Sequence, residues 1–96
     1  MLKIKTLKFS ELYGINIQRY LNQGKYHEAI SYLKEEIKKN PHDPDSYYKL
    51  GEVYRRQRNY NEAIRWYKEA IRVNPKSGGG YIELGRTYEN MDNYEE

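Results

Sequence analysis

A chain of 96 residues and 11.6 kDa has room for one domain built around a single core. It is polar, with 38% apolar and 32% charged residues, a mean hydropathy of −1.15 and a net charge of +3. No stretch of about 18 apolar residues could form a transmembrane span, and Lys3, Lys5 and Lys8 leave the N-terminus without the apolar run of a secretory signal. The absence of cysteine excludes a disulfide framework and a thiolate metal site, and a cytoplasmic location is the expectation. Leu, Ile, Val and Phe are scarce, so twelve tyrosines and Trp66 are expected to supply much of the buried surface.

In chain order, residues 1–9 form a leader in which Leu2, Ile4, Leu7 and Phe9 alternate with lysines. It is expected to extend the first helix or pack on the open N-terminal end, with a membrane-surface or docking segment as the alternative. Beyond it the chain repeats. Asn74-Pro75 follows Asn40-Pro41 by 34 residues, and the same offset superposes Tyr13, Tyr47 and Tyr81, then Tyr20, Tyr54 and Tyr88, then Tyr26, Tyr60 and Tyr94. Ala29 falls on Ala63, Ile30 on Ile64, Ile37 on Ile71, and Leu50-Gly51 on Leu84-Gly85. The units are therefore 10–43, 44–77 and a partial third, 78–96.

Each full unit reads as two helices. Tyr47, Leu50, Gly51 and Tyr54 follow the i, i+3, i+4, i+7 spacing of one helical face; Tyr60, Ala63, Ile64, Tyr67, Ala70 and Ile71 make a second stripe. Breaks are expected at Gln23-Gly24, at Arg58-Asn59 with Asn59 approximating the left-handed residue, and at Asp92-Asn93. Prolines 41 and 75 stop the second helices. Neither stripe can be hidden by one helix alone, so the helices must stack on one another.

The pattern Tyr47-x2-Leu50-Gly51-x2-Tyr54, its copy at Tyr81, Leu84, Gly85 and Tyr88, and Ala63-x3-Tyr67 with Ala70 and Pro75 resemble the tetratricopeptide repeat (TPR) family. The likeness runs over residues 10–96. The first unit departs from it, with Asn16-Ile17 in place of Leu-Gly and Glu36 in place of a small residue, which suggests a looser helix pair or an N-terminal capping unit. The implied fold is all-α, a right-handed α-solenoid of antiparallel helix pairs with about 2.5 units and five helices. Gly51 and Gly85 would sit where two helices approach most closely, with Ala29, Ala63 and Ala70 as the matching small residues. Tyr32 and Trp66 would pack between repeats.

No catalytic constellation emerges, and no enzyme activity, metal or cofactor is expected. His27 and His42 lack nucleophile or acid partners and read as surface residues. Glu35 with Lys38 and Lys39, and Lys68 with Glu69 and Arg72, read as solvated helix faces. Gly78-Gly79-Gly80 is no phosphate cradle, because Lys76-Ser77 precedes the glycines and no strand leads into them. It reads as a weak helix start, or as a hinge for the last helix.

In the resembled family the first helix of each unit lines an inner wall on which extended peptides or partner helices lie. By position that wall would carry Gln18, Leu21 and Asn22, then Tyr48, Lys49, Glu52, Arg55 and Arg56, then Ile82, Glu83, Arg86, Glu89 and Asn90. Of these, Tyr48, Lys49, Glu52, Arg55, Arg56, Ile82, Arg86 and Glu89 are the partner-binding candidates, with Tyr48 and Ile82 free of core duty and the arginines suited to carboxylates. The carboxylate clamp of chaperone-binding members is absent: its positions hold Gly14, Gln18, Lys49, Gly79 and Glu83. The expected function is a protein–protein interaction scaffold. The alternative is a self-associating assembly module that uses Tyr81, Leu84 and Tyr88, whose covering helix is missing; the chain is expected to be a fragment of a longer repeat array, or else to complete its core by self-association, and in either case to form a homodimer. A basic nucleic-acid adaptor comes third, because Glu52, Glu62 and Glu69 interrupt the cluster of Arg55, Arg56, Arg58 and Arg65.

Overall fold

The computed structural model describes residues 9–76 and 78–95, with side chains over 16–76 and 78–92. The leader residues 1–8 lie outside this set. Five α-helices follow one another: α1 (Phe9–Asn22), α2 (Tyr26–Lys39), α3 (Pro44–Arg56), α4 (Tyr60–Val73) and α5 (Gly78–Glu95). No strand occurs among the described residues. Each helix packs chiefly on the next in sequence, so unit 1 is α1 with α2 and unit 2 is α3 with α4.

The turns repeat as faithfully as the helices. Gly24 has φ +70° and Arg58, 34 residues later, has φ +63°. In both turns the following amide closes back onto a tyrosine carbonyl: Lys25 donates to Tyr20 at 2.8 Å and Asn59 to Tyr54 at 2.9 Å. This is the left-handed helix stop in which the second amide past the cap satisfies an orphan carbonyl. The left-handed residue of unit 2 is thus Arg58, not Asn59, which has φ −91° and precedes α4. The 34-residue offset aligns Arg58 with Gly24. Between units, Asp43 caps α3 by accepting from the Asp45 amide at 3.0 Å, with Pro44 opening the helix.

The central core is aliphatic: Ile17, Leu21, Ala29, Leu33, Leu50 and Val53 are all at or below 5% exposure. Tyrosines close it from the edges, Tyr20, Tyr26, Tyr32 and Tyr54 being half-buried, while Tyr67 is completely enclosed. Trp66 stacks on Tyr47 of α3, centroids 6.1 Å apart at 27°, and packs against the central core to which both units contribute. The Tyr47 hydroxyl donates to the Pro41 carbonyl at 2.8 Å and ties α3 to the end of unit 1.

Gly51 shows why the motif needs glycine. A Cβ there would stand 2.7 Å from Cδ1 and Cε1 of Tyr67. Unit 1 has Ile17 at the glycine position and Leu33 at the tyrosine position, both buried. A very small residue facing a very large one is replaced by two of middle size, so the space is filled despite the broken motif. Glu36, on the other hand, is buried, with Lys39 Nζ 4.0 Å from its carboxylate.

α5 does not break at Asp92-Asn93; it runs on to Glu95. Among the described residues no helix packs back against it at this point, so nothing compensates a left-handed turn at aspartate, and the hydrogen-bond ladder continues. Gly78, Gly79 and Gly80 form its first turn. Gly80 is buried, and a Cβ on Gly79 would meet the Tyr48 ring at 3.5 Å, an ordinary contact.

Candidate partner-binding surfaces

α3 and α5 are both first helices of their units, so they present a common wall. Tyr48 sits at its centre. Its ring meets Tyr67 edge-on, centroids 5.8 Å apart and planes at 67°, and lies beside the backbone of Gly79. Tyr48 therefore does have a packing role between units, contrary to the sequence expectation. Burial raises its hydroxyl pKa, with Glu83 and Glu52 adding to the effect and Arg55 and Arg86 opposing it.

Beside Tyr48 lies a polar cluster that the sequence did not disclose. Tyr48, Glu52, Arg55, Tyr67 and Glu83 enclose a small cavity of about 70 Å³. Arg55 Nε stands 3.8 Å from Glu83 Oε1, with side-chain exposures of only 25% and 15%. These two atoms and the Tyr67 hydroxyl are buried without a well-formed hydrogen bond. Burial is the main reason the Tyr67 pKa is pushed up to about 12; Arg55 opposes the shift, and Glu83 and Glu52 add to it. Arg55 is therefore a link between α3 and α5 rather than a free guanidinium.

The remaining candidates lie around this cluster. Arg86 pairs with Glu83 at 3.0 Å and Arg56 with Glu52 at 3.2 Å, and both arginines keep part of their guanidinium surface open to solvent. Ile82 is 60% exposed, and Glu89 is exposed one turn beyond Arg86. Lys49 is half-buried. From unit 1, Gln18 and Asn22 are exposed and joined at 3.0 Å, whereas Leu21 belongs to the core and not to the wall. Arg65 of the basic cluster points elsewhere, pairing with Glu62 at 3.6 Å and lying 5.2 Å above the Trp66 ring. The cluster thus divides between faces and is partly neutralised. His27 and His42 are exposed, and no metal-binding group of acidic or histidine side chains occurs among the described residues. A broader open groove of about 610 Å³, bordered by Tyr20, His27, Tyr32 and Lys39, was not foreseen from the sequence.

A second surface lies on the opposite side of α5. Tyr81 is 53% and Tyr88 44% exposed, Leu84 is half-buried, and nothing comes within 4 Å of a Cβ placed on Gly85. These are the counterparts of Tyr47, Tyr54, Leu50 and Gly51, which α4 covers in unit 2. α5 buries Gly80 and Thr87 instead, and Thr87 donates to the Glu83 carbonyl at 2.7 Å.

The stacked helix pairs, the shared turn at Gly24 and Arg58 and the glycine–aromatic contact define a helical-repeat scaffold. The profile of the tetratricopeptide repeat family matches residues 16–78, and the chain belongs to that family. Among solved structures, MamA 41-end from Desulfovibrio magneticus RS-1 superposes with a TM-score of 0.76 at 25% identity, over 88% of this chain and 48% of that one. A MamA crystal structure gives 0.75 at 30% identity, over 85% and 48%. The TPR2B domain of yeast Sti1 in complex with pHsp70 gives 0.75 at 21% identity, over 88% and 67%, a likeness of fold alone. The chain spans about half the length of the MamA structures it matches. No curated protein matches the sequence. No described helix is long and apolar enough to cross a membrane.

Proposed function

We propose that this chain is a non-catalytic protein-interaction module that holds an extended segment or helix of a protein partner across the α3–α5 wall. The observation that carries this reading is the arrangement around Tyr48. An exposed apolar side chain, Ile82, and two partly open guanidiniums, Arg56 and Arg86, flank a wall whose spacing is held by the Arg55–Glu83 link. Such a surface offers apolar contact and bidentate carboxylate recognition together. Glu52 and Glu83 already engage the arginines, so a partner carboxylate must compete with them. That favours partners combining one acidic group with an apolar anchor over strongly acidic ones. The solved Sti1 complex with pHsp70 shows that this fold can hold a partner, though here Glu83 occupies a position where carboxylate-clamping members carry a cation.

The test is selection of binding peptides from a random library, followed by titration against Ile82→Ala and Arg86→Ala. Each variant is expected to weaken binding about five- to thirtyfold, as for loss of one anchor worth roughly 1–2 kcal/mol. Selected peptides that bind both variants as they bind the parent would refute the wall as the site. Self-association is the second reading, favoured by the exposure of Tyr81 and Tyr88 on the other side of α5.

A further inference from the structure

The cavity beside Tyr48 has a pattern of donors and acceptors that fits one kind of occupant. Three buried polar atoms there lack a well-formed hydrogen bond: Arg55 Nε, the Tyr67 hydroxyl and Glu83 Oε1. They belong to α3, α4 and α5, so they meet only because of how α5 seats on unit 2. Buried polar atoms in folded proteins are almost always paired, because an unpaired one has given up its hydration for nothing.

The chemistry of the three atoms differs. Arg55 Nε can only donate, the Glu83 carboxylate can only accept, and the tyrosine hydroxyl can do either. Nε and Oε1 stand 3.8 Å apart, too far for a direct hydrogen bond and close enough for one oxygen atom to touch both. An anion could not donate to Glu83, and a metal cation could not accept from Arg55. The occupant must be a small neutral group that does both. The volume of about 70 Å³ exceeds the roughly 10–15 Å³ that a water requires. All three atoms are closed to bulk solvent, which keeps a partner's side chain out.

We infer that an ordered water occupies this cavity as an integral part of the joint between α5 and unit 2. It accepts from Arg55 Nε and from the Tyr67 hydroxyl and donates to Glu83 Oε1, and the Glu52 carboxylate on the same lining takes its second proton. Four bonds are the full capacity of one water. The second oxygens of both carboxylates are already engaged, Glu83 Oε2 by Arg86 at 3.0 Å and Glu52 Oε2 by Arg56 at 3.2 Å. The joint between the two full units is built differently. At the 34-residue offset, Leu21 and Leu33 stand where Arg55 and Tyr67 do, both buried, and they leave no polar atom for a water to satisfy. The inference holds whether or not a partner lies across the wall.

A crystal structure of the full chain that orders its waters is the test. Density for one water is expected about 2.7–3.2 Å from Arg55 Nε, Glu83 Oε1 and the Tyr67 hydroxyl. Arg55→Leu combined with Tyr67→Leu, which copies the apolar pairing of unit 1, should lose that density. In solution, the Arg55 Nε–H proton should show a nuclear Overhauser contact to water with the sign of an intramolecular contact. Tyr67→Phe removes the exchangeable hydroxyl that could relay such a signal, and the contact should persist because the water keeps three partners. A direct bond between Arg55 Nε and Glu83 Oε1 with no density between them would overturn the proposal, as would an ion at the site or density retained in the double leucine variant. So would a water contact absent from the parent or lost in Tyr67→Phe.

Discussion

Alanine at Gly51 and at Gly85 should change stability in opposite directions, although the two glycines hold the same place in the same motif. At Gly51 the new Cβ would lie 2.7 Å from Cδ1 and Cε1 and 3.1 Å from Cγ of Tyr67. These are ring atoms of a fully buried side chain braced by Tyr48, not the end of a flexible one. The overpacking costs about 1–3 kcal/mol, while the helix preference of alanine over glycine returns about 1 kcal/mol, leaving a net loss of up to ~2 kcal/mol. At Gly85 the added methyl meets nothing within 4 Å, so only the gain of about 1 kcal/mol remains. For a domain of this size each kcal/mol moves the melting temperature by roughly 4–8 °C. Thermal unfolding followed by circular dichroism, at a dilution where the chain is monomeric, reads both. Tyr67→Leu should rescue Gly51→Ala, since it approaches the Ile17–Leu33 pairing of unit 1. If Gly51→Ala stabilised as much as Gly85→Ala, the close approach of α3 and α4 at that glycine would be wrong.

Tyr67 makes stability sensitive to high pH: its folded pKa of about 12 exceeds the ordinary value of 10.0, so the neutral ring is favoured by folding. Its contribution is complete below pH 10 and is lost between pH 10 and 12, on the order of 2–3 kcal/mol. Urea denaturation at a series of alkaline pH values should show that loss, and Tyr67→Phe should flatten it. Gly24→Ala should destabilise by roughly 1–2 kcal/mol, because φ +70° forces a Cβ into the left-handed region; unchanged thermal unfolding would contradict the left-handed turn. A double-mutant cycle on Arg55→Ala and Glu83→Ala should give a coupling of about 1 kcal/mol, and a value near zero would mean that the two do not link α3 to α5.

The repeat made much of the fold legible in the sequence, because a spacing of 34 residues is a property of the chain and needs no knowledge of packing. The helix stripes, the proline stops and the tight Gly51 position all follow from it. The left-handed residue of unit 2 was misplaced by one: asparagine tolerates that conformation better than arginine, so local preference pointed to Asn59 while register put the turn at Arg58. The continuation of α5 through Asp92-Asn93 was not legible either, since a turn there depends on a helix packing back. On the wall, the contacts that the candidate residues make did not follow from sequence. Arg55 and Glu83 belong to different units, and whether they meet depends on how α5 sits against α3. The same relation presses Tyr48 against Tyr67 and Gly79 and gives it a structural role that spacing alone assigned only to Tyr47.

Amide chemical-shift mapping by NMR with a library-selected peptide tests the central claim most directly. Binding through the α3–α5 wall predicts that the largest changes cluster at Tyr48, Arg56, Ile82 and Arg86, with Tyr81, Gly85 and Tyr88 little affected. Changes concentrated on the Tyr81–Tyr88 face, or spread over α2 and α4 with the wall unmoved, would contradict it.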